Sequence, residues 1–134
     1  MRKRSVAVAL FIEGEKILIQ NRKELNKYGT EYGFFGGKIE EGETPKQTVK
    51  REIKEELEIN MTNYKLFKHC KKQMPELDLE IEYYMFIAPL PNPKEIKCHE
   101  GKPFFTNFNE AIKLKMIPGD IKLLKEIYEY IRKK

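Results

Sequence analysis

The amino-acid sequence predicts an α/β protein, a β-sheet with helices packed on it. Three observations predict it. Residues 5–12 and 16–20 are apolar extended runs joined by a Gly-bearing turn. Residues 79–88 alternate, with Leu79, Ile81, Tyr83, Met85 and Ile87 on one side. Residues 44–57 and 120–131 carry helical periodicity and are separated in the chain by strand-type sequence.

Taken in order, Ser5–Ile12 is rich in small and branched apolar residues and reads as a strand. Glu13, Gly14 and Glu15 form a turn, and Lys16–Gln20 returns as the second strand of a hairpin. Asn21–Phe35 is polar and Gly-bearing, so a loop is expected, and Gly36-Gly37 punctuates the chain before a short extended piece at Lys38-Ile39. Thr44–Leu57 is the clearest helix. Thr44 is the expected N-cap, Pro45 takes the first helical position, and Gln47 completes a capping box. Val49, Ile53 and Leu57 recur every four residues as the core-facing stripe. Leu79–Ala88 is the alternating strand, broken by Pro89–Pro93, and Pro103–Phe108 is a further extended piece. Asp120–Ile131 is the second helix, with Asp120 suited to N-cap it and Ile121, Leu124, Ile127, Tyr128 and Ile131 on one face.

A chain of 134 residues suits one domain, 1–134, and 40% hydrophobic residues supply a packed interior, which argues against disorder. The net charge of +5 suits a polyanionic ligand. The lysines are dispersed, and no aromatic residues interleave with basic clusters, so a nucleic-acid surface is not expected. Cys70 follows His69, and His99 follows Cys98. Adjacent strand residues point to opposite faces, so neither pair aims two ligands at one metal; two free thiols in a reducing compartment are expected instead of zinc. Arg2–Arg4 before the apolar run imitates a signal peptide, but Glu13–Lys16 follows where a cleavage site would stand. No apolar stretch reaches membrane-spanning length, and the expected location is the cytoplasm.

The chemistry gathers at Gly37–Ile59. Glu52, Glu55 and Glu56 stand at i, i+3 and i+4 and lie on one side of the helix, while Lys50 and Lys54 fall on the outer side. Crowded carboxylates repel, and a hard divalent cation resolves the repulsion because Mg²⁺ takes oxygen ligands. Glu43, just before the helix, can reach the same space. Gly37 has no side chain, so its carbonyl can approach a metal closely.

Read as one unit, this segment resembles the signature of the Nudix hydrolases, G-x5-E-x7-R-E-U-x-E-E-x-G-U, where U is a bulky apolar residue. Gly37, Glu43, Arg51, Glu52, Ile53, Glu55, Glu56 and Ile59 fall in register. The last glycine of the signature is Glu58 here, so a different exit turn is expected at residues 57–60. The resemblance implies the Nudix fold, a mixed β-sheet sandwiched between α-helices, with the signature forming loop–helix–loop. It implies that Glu52, Glu55 and Glu56 bind Mg²⁺, with Mn²⁺ as a substitute and the Gly37 carbonyl assisting, and that Arg51 orients a carboxylate, Glu43 first. Within the family the resemblance is to MutT-type nucleoside triphosphate pyrophosphohydrolases. It is carried by Gly36–Glu40, Gly42–Pro45 and Arg51-Glu52, although Phe35 stands where many members have proline. Glu100, in the run 100–103, resembles a further glutamate near the metals and is a candidate ligand or general base; the alternative is a loop glutamate at a turn.

The implied activity is Mg²⁺-dependent hydrolysis of a pyrophosphate bond. The first-choice substrate is a nucleoside triphosphate, an oxidised purine such as 8-oxo-dGTP included, cut to monophosphate and pyrophosphate. ADP-ribose, dinucleoside polyphosphates and RNA 5′ ends are the alternatives. A non-catalytic nucleotide- or RNA-binding Nudix domain is the reading of another class, and retention of every carboxylate argues against it. Candidate substrate contacts are Arg22 after the second strand, Tyr84, which faces away from the buried side of its strand, and Asp120 before the last helix. The expected partner is a small nucleotide, with no nucleic acid or membrane, and the chain is expected as a monomer or homodimer.

Overall fold

The computed structural model describes residues 1–25, 31–116 and 119–133. Part of the expected loop (26–30) and residues 117 and 118 before the last helix lie outside the described residues.

Strand β1 (Arg2–Glu13) organises the sheet. Its apolar run is nearly continuous because both of its faces are covered. Val6, Val8 and Leu10 enter one core, and Ala7, Ala9 and Phe11 enter the other. The hairpin turns at Gly14, whose φ of 60° suits glycine, into β2 (Lys16–Asn21). β3 (Tyr32–Gly33) pairs with the end of β2, and β4 (Phe35–Lys38) runs antiparallel to Val6–Ala9 of β1. After helix α1 (Pro45–Leu57) come β5 (Lys65–Met74) and β6 (Leu79–Pro89), an antiparallel pair. β6 lies parallel to β1 along its whole length, from Arg2 opposite Leu79 to Ile12 opposite Pro89. β7 (Lys102–Asn107) pairs with the free side of β2. The sheet is therefore mixed, in the order β3-β2-β1-β6-β5, with β4 on β1 and β7 on β2.

Short helix α2 (Phe108–Ala111) leads towards α3 (Asp120–Arg132). α1 covers one face of the sheet with Val49, Ile53 and Leu57, and α3 covers the other with Leu123, Leu124 and Ile127. This is the α-β-α sandwich expected.

α1 begins as its sequence requires. Thr44 accepts from the Gln47 N–H at 3.1 Å, and the Gln47 side chain accepts from the Thr44 N–H at 2.9 Å. Its end differs from expectation. Glu58 adopts the left-handed conformation (φ 56°, ψ 35°) that a glycine would take, so the ordinary exit turn is kept despite the substitution. A non-glycine residue there costs about 1 kcal/mol. The Glu58 carboxylate pairs with His99, and the N–H groups of Lys97 and His99 donate to the carbonyls of Leu57 and Glu56. Segment 97–99 is thereby tied to the last turn of α1.

Three further expectations change. β3 and the start of β4 fall inside the stretch expected to be a loop, and β5 had no counterpart in the sequence pattern. Gly36 and Gly37 lie within β4, because glycine in a strand permits close backbone approach. Asp120 does not cap α3: Gly119 precedes the helix, and the Asp120 side chain is fully buried against Lys72 Nζ at 2.7 Å.

Candidate active site

The loop before α1 is held by one guanidinium. Arg51 Nε donates to Glu43 Oε2 at 2.7 Å and Nη2 to Glu43 Oε1 at 2.9 Å, a two-pronged pair that fixes both groups in a plane. Thr48 Oγ1 donates to the same carboxylate at 2.9 Å. Arg51 Nη1 then donates to Glu52 Oε1 at 2.9 Å. The hydrogen bonds from Arg51 hold the Glu43 carboxyl down at about 2, and Glu43 in turn raises the Arg51 guanidinium.

The sign of this shift sets a pH dependence. A carboxyl depressed in the folded state stabilises the fold above its ordinary value of 4.5, and that contribution fades as pH falls towards about 2. Denaturant titrations should therefore find wild type more stable than Glu43→Gln at neutral pH, with the gap shrinking across that window. A gap that stays constant through the window would refute this.

The remaining carboxylates differ in exposure. Glu56 is only 4% exposed; its Oε1 accepts from the Gly36 N–H at 3.2 Å, while its buried Oε2 has no hydrogen-bond partner. Burial pushes the Glu56 carboxyl well above the usual carboxylate range, and neighbouring Glu52 and Glu100 push the same way. Glu52 lies against Gly37, where an added Cβ would stand 2.5 Å from the Glu52 Cδ. Glu55 is exposed, with Arg51 Nη1 at 3.4 Å. Helix geometry puts Glu52 and Glu56 beside the apolar stripe and Glu55 further round, and the structure accordingly has two inward acids, joined by Glu100 from the 97–101 segment, and one outward.

A buried carboxylate oxygen without a partner, with two more carboxyls beside it, is a donor set suited to a hard divalent cation. Among the described residues no group of three acidic, His or Cys side chains is placed to hold a metal ion as it stands, so the fit rests on donor chemistry and on the Gly37 cradle.

Glu52 and Glu100 open into a cleft of about 350 Å³. Arg4, Arg22 and Lys38 contribute positive charge to it, and Val8, Ile81 and Tyr83 contribute apolar wall. Of the candidate residues, Gly37, Glu52, Glu100 and Arg22 line this cleft. Tyr84 does not: it belongs to the opposite face, on the α1 side, where its ring stacks on His69 at 4.1 Å. Asp120 is not among the lining residues. It is buried beside Lys72, whose Nζ stands over the Tyr83 ring at 4.2 Å, and one of its buried carboxylate oxygens has no partner among the described residues.

Arg4, Lys38 and Tyr83 were not singled out in the sequence. For Arg4 a signal existed, since it shares the alternation of Val6 and Val8 and so faces the same way. Tyr83 was legible only as an apolar strand residue. Cys70 and Cys98 are both free thiols. No described helix is long and apolar enough to cross a membrane.

A NUDIX domain model matches residues 1–127. An 8-oxo-dGTP diphosphatase of Haemophilus influenzae is 32% identical over 104 residues, covering 75% of this chain and 76% of that protein. An 8-oxo-dGTP diphosphatase of Escherichia coli is 33% identical over 86 residues, covering 63% and 67%. Among solved structures, a MutT protein from Bacillus halodurans superposes with a TM-score of 0.75 at 24% identity, covering 93% of this chain and 82% of that one, a likeness of fold.

Proposed function

This chain belongs to the NUDIX family and is a Nudix hydrolase, and from that premise we propose that it cuts nucleoside triphosphates to monophosphate and pyrophosphate. Oxidised purine forms such as 8-oxo-dGTP are included, with Mg²⁺ as the metal and Mn²⁺ as a substitute. The observation that carries the reading is the cleft itself: the carboxylates Glu52 and Glu100, the cationic side chains Arg4, Arg22 and Lys38, and an apolar wall with Tyr83 line one cavity. A polyphosphate needs the first two and a base the third. The 8-oxo-dGTP diphosphatases among the relatives support the same substrate class.

A divalent cation supplies neutralisation of phosphate oxygens and a more acidic bound water. Glu52, Glu56 and Glu100 would hold it, with the Gly37 carbonyl assisting and Glu55 reaching it from the outer side of the helix. Arg51 acts through Glu43 and Glu52, keeping the loop and the first carboxylate in place. Arg22, Arg4 and Lys38 bind the polyphosphate oxygens, which spreads the negative charge that opposes attack. In the alternative to holding the cation, Glu100 would take the proton from the attacking water. Tyr83 and its apolar neighbours receive the base.

The test is a substrate panel with Mg²⁺ that separates pyrophosphate from phosphate release. It spans ordinary and oxidised nucleoside triphosphates, ADP-ribose, dinucleoside polyphosphates and triphosphorylated RNA. The expected result is pyrophosphate release, fastest with a purine triphosphate. Absence of turnover of any phosphoanhydride by folded protein would sink the reading, and tight RNA binding in its place would indicate a binding domain.

A further inference from the structure

We propose that Gln20 is the positioning residue that joins the substrate side of the cleft to its carboxylate side, by holding Arg22 and the Glu100 turn at a set separation. The inference rests on the functional reading above for the roles of Arg22 and Glu100. Its structural basis is separate.

Gln20 sits on β2 with 1% of its surface exposed, among the apolar residues Ile17, Leu18 and Ile19. Such a position ordinarily takes an apolar residue, so a buried amide there needs both of its ends satisfied. Both are. Its Oε1 accepts from Arg22 Nη1 at 2.8 Å, and its Nε2 donates to the Glu100 carbonyl at 2.9 Å. The guanidinium can only donate and the carbonyl can only accept, so these partners also fix which way round the amide sits. A planar amide then holds the two partners on its opposite ends.

The turn is pressed onto this amide. Gly101 has φ 67°, and a Cβ there would stand 2.6 Å from the Asn21 carbonyl and 3.0 Å from Gln20 Cγ. Arg22 is pressed from the other side, where a Cβ on Gly33 would lie 3.1 Å from its Cδ. Its Nε is buried without a hydrogen-bond partner, and Gln20 is its side-chain acceptor among the described residues. Without Gln20 the guanidinium keeps its place in the cleft by packing alone. Glu100 would remain tethered through the backbone bond of His99 to Glu56, but its own carbonyl would lose the amide donor.

Two substitutions take the two bonds apart, and that defines the experiment. Gln20→Glu keeps the acceptor for Arg22 and loses the donor to Glu100. Gln20→Leu loses both while preserving bulk. The full chain and each variant are compared for kcat and KM with the best triphosphate of the panel, for Mn²⁺ affinity by electron paramagnetic resonance, and for melting temperature. Gln20→Glu should hold KM near wild type while kcat falls about tenfold and Mn²⁺ binding weakens. Gln20→Leu should add a rise in KM of about tenfold, as a displaced arginine loses uniform substrate binding. If Gln20→Leu does not fold, Gln20→Met takes its place.

The proposal is overturned if the two variants show the same kcat and KM, or if activity simply tracks melting temperature. Failure of wild type to turn over any phosphoanhydride would overturn the functional reading instead. In that event the Mn²⁺ titration still decides whether Gln20 positions the Glu100 turn: weaker binding in Gln20→Glu upholds it, and unchanged binding overturns it.

Discussion

Glu52→Gln should yield a folded protein whose kcat in saturating Mg²⁺ is lower by about 10²–10³-fold, the loss seen when one preorganised electrostatic contact is removed. The substitution keeps size and shape, and its amide oxygen can still accept from Arg51 Nη1, which Glu52 Oε1 now does at 2.9 Å. What disappears is one negative charge in the cleft, on a carboxylate that fills the space a Cβ at Gly37 would take. Steady-state pyrophosphate release, together with a melting curve, measures the effect. The same substitution at Glu55, exposed on the outer side, should cost less. A folded Glu52→Gln enzyme with near-normal turnover would mean that the assignment of the site is wrong.

The largest stability effect is expected one residue before Gly37. Gly36 has φ 146°, a conformation open to glycine and strained for any L side chain. A Cβ there would meet the Ala7 carbonyl at 2.3 Å and Val8 Cα at 2.6 Å, both backbone atoms of the central strand. Backbone cannot swing aside as a side-chain tip can, so Gly36→Ala should cost about 3 kcal/mol or more in chemical denaturation. Gly37→Ala should behave differently. The three atoms nearest its Cβ all belong to the Glu52 carboxylate, at 2.5–2.7 Å, so the fold should survive while Glu52 is pushed from its place and activity drops. Equal stability losses at the two glycines would contradict this division between a fold glycine and a site glycine.

Sequence legibility followed locality. The cap of α1 was readable because Thr44, Pro45 and Gln47 interact within one turn, and the structure shows each of those bonds. The strand at 79–88 was readable because alternation is a local period. β5 was not, because Lys68, His69, Lys71 and Lys72 break any apolar alternation on this edge strand, and pairing with β6 makes it a strand. Asp120 looked like a helix cap because that pattern is local, whereas its burial against Lys72 depends on β5 lying alongside α3.

The linear chain by itself determined the family signature, the helix that carries it, the acidic set and the pairing of Glu43 with Arg51, since these lie within about two dozen consecutive residues. Only the folded chain decided how deeply Glu56 is buried, that Glu100 joins it, that Arg4 and Tyr83 share one cleft, and that Gln20 bridges Arg22 and the Glu100 carbonyl. The physical reason is that burial and electrostatic environment are properties of neighbours in space. Glu52, Glu55 and Glu56 are the same residue in one short run, and the sheet and the 97–101 segment packed against their helix set them apart.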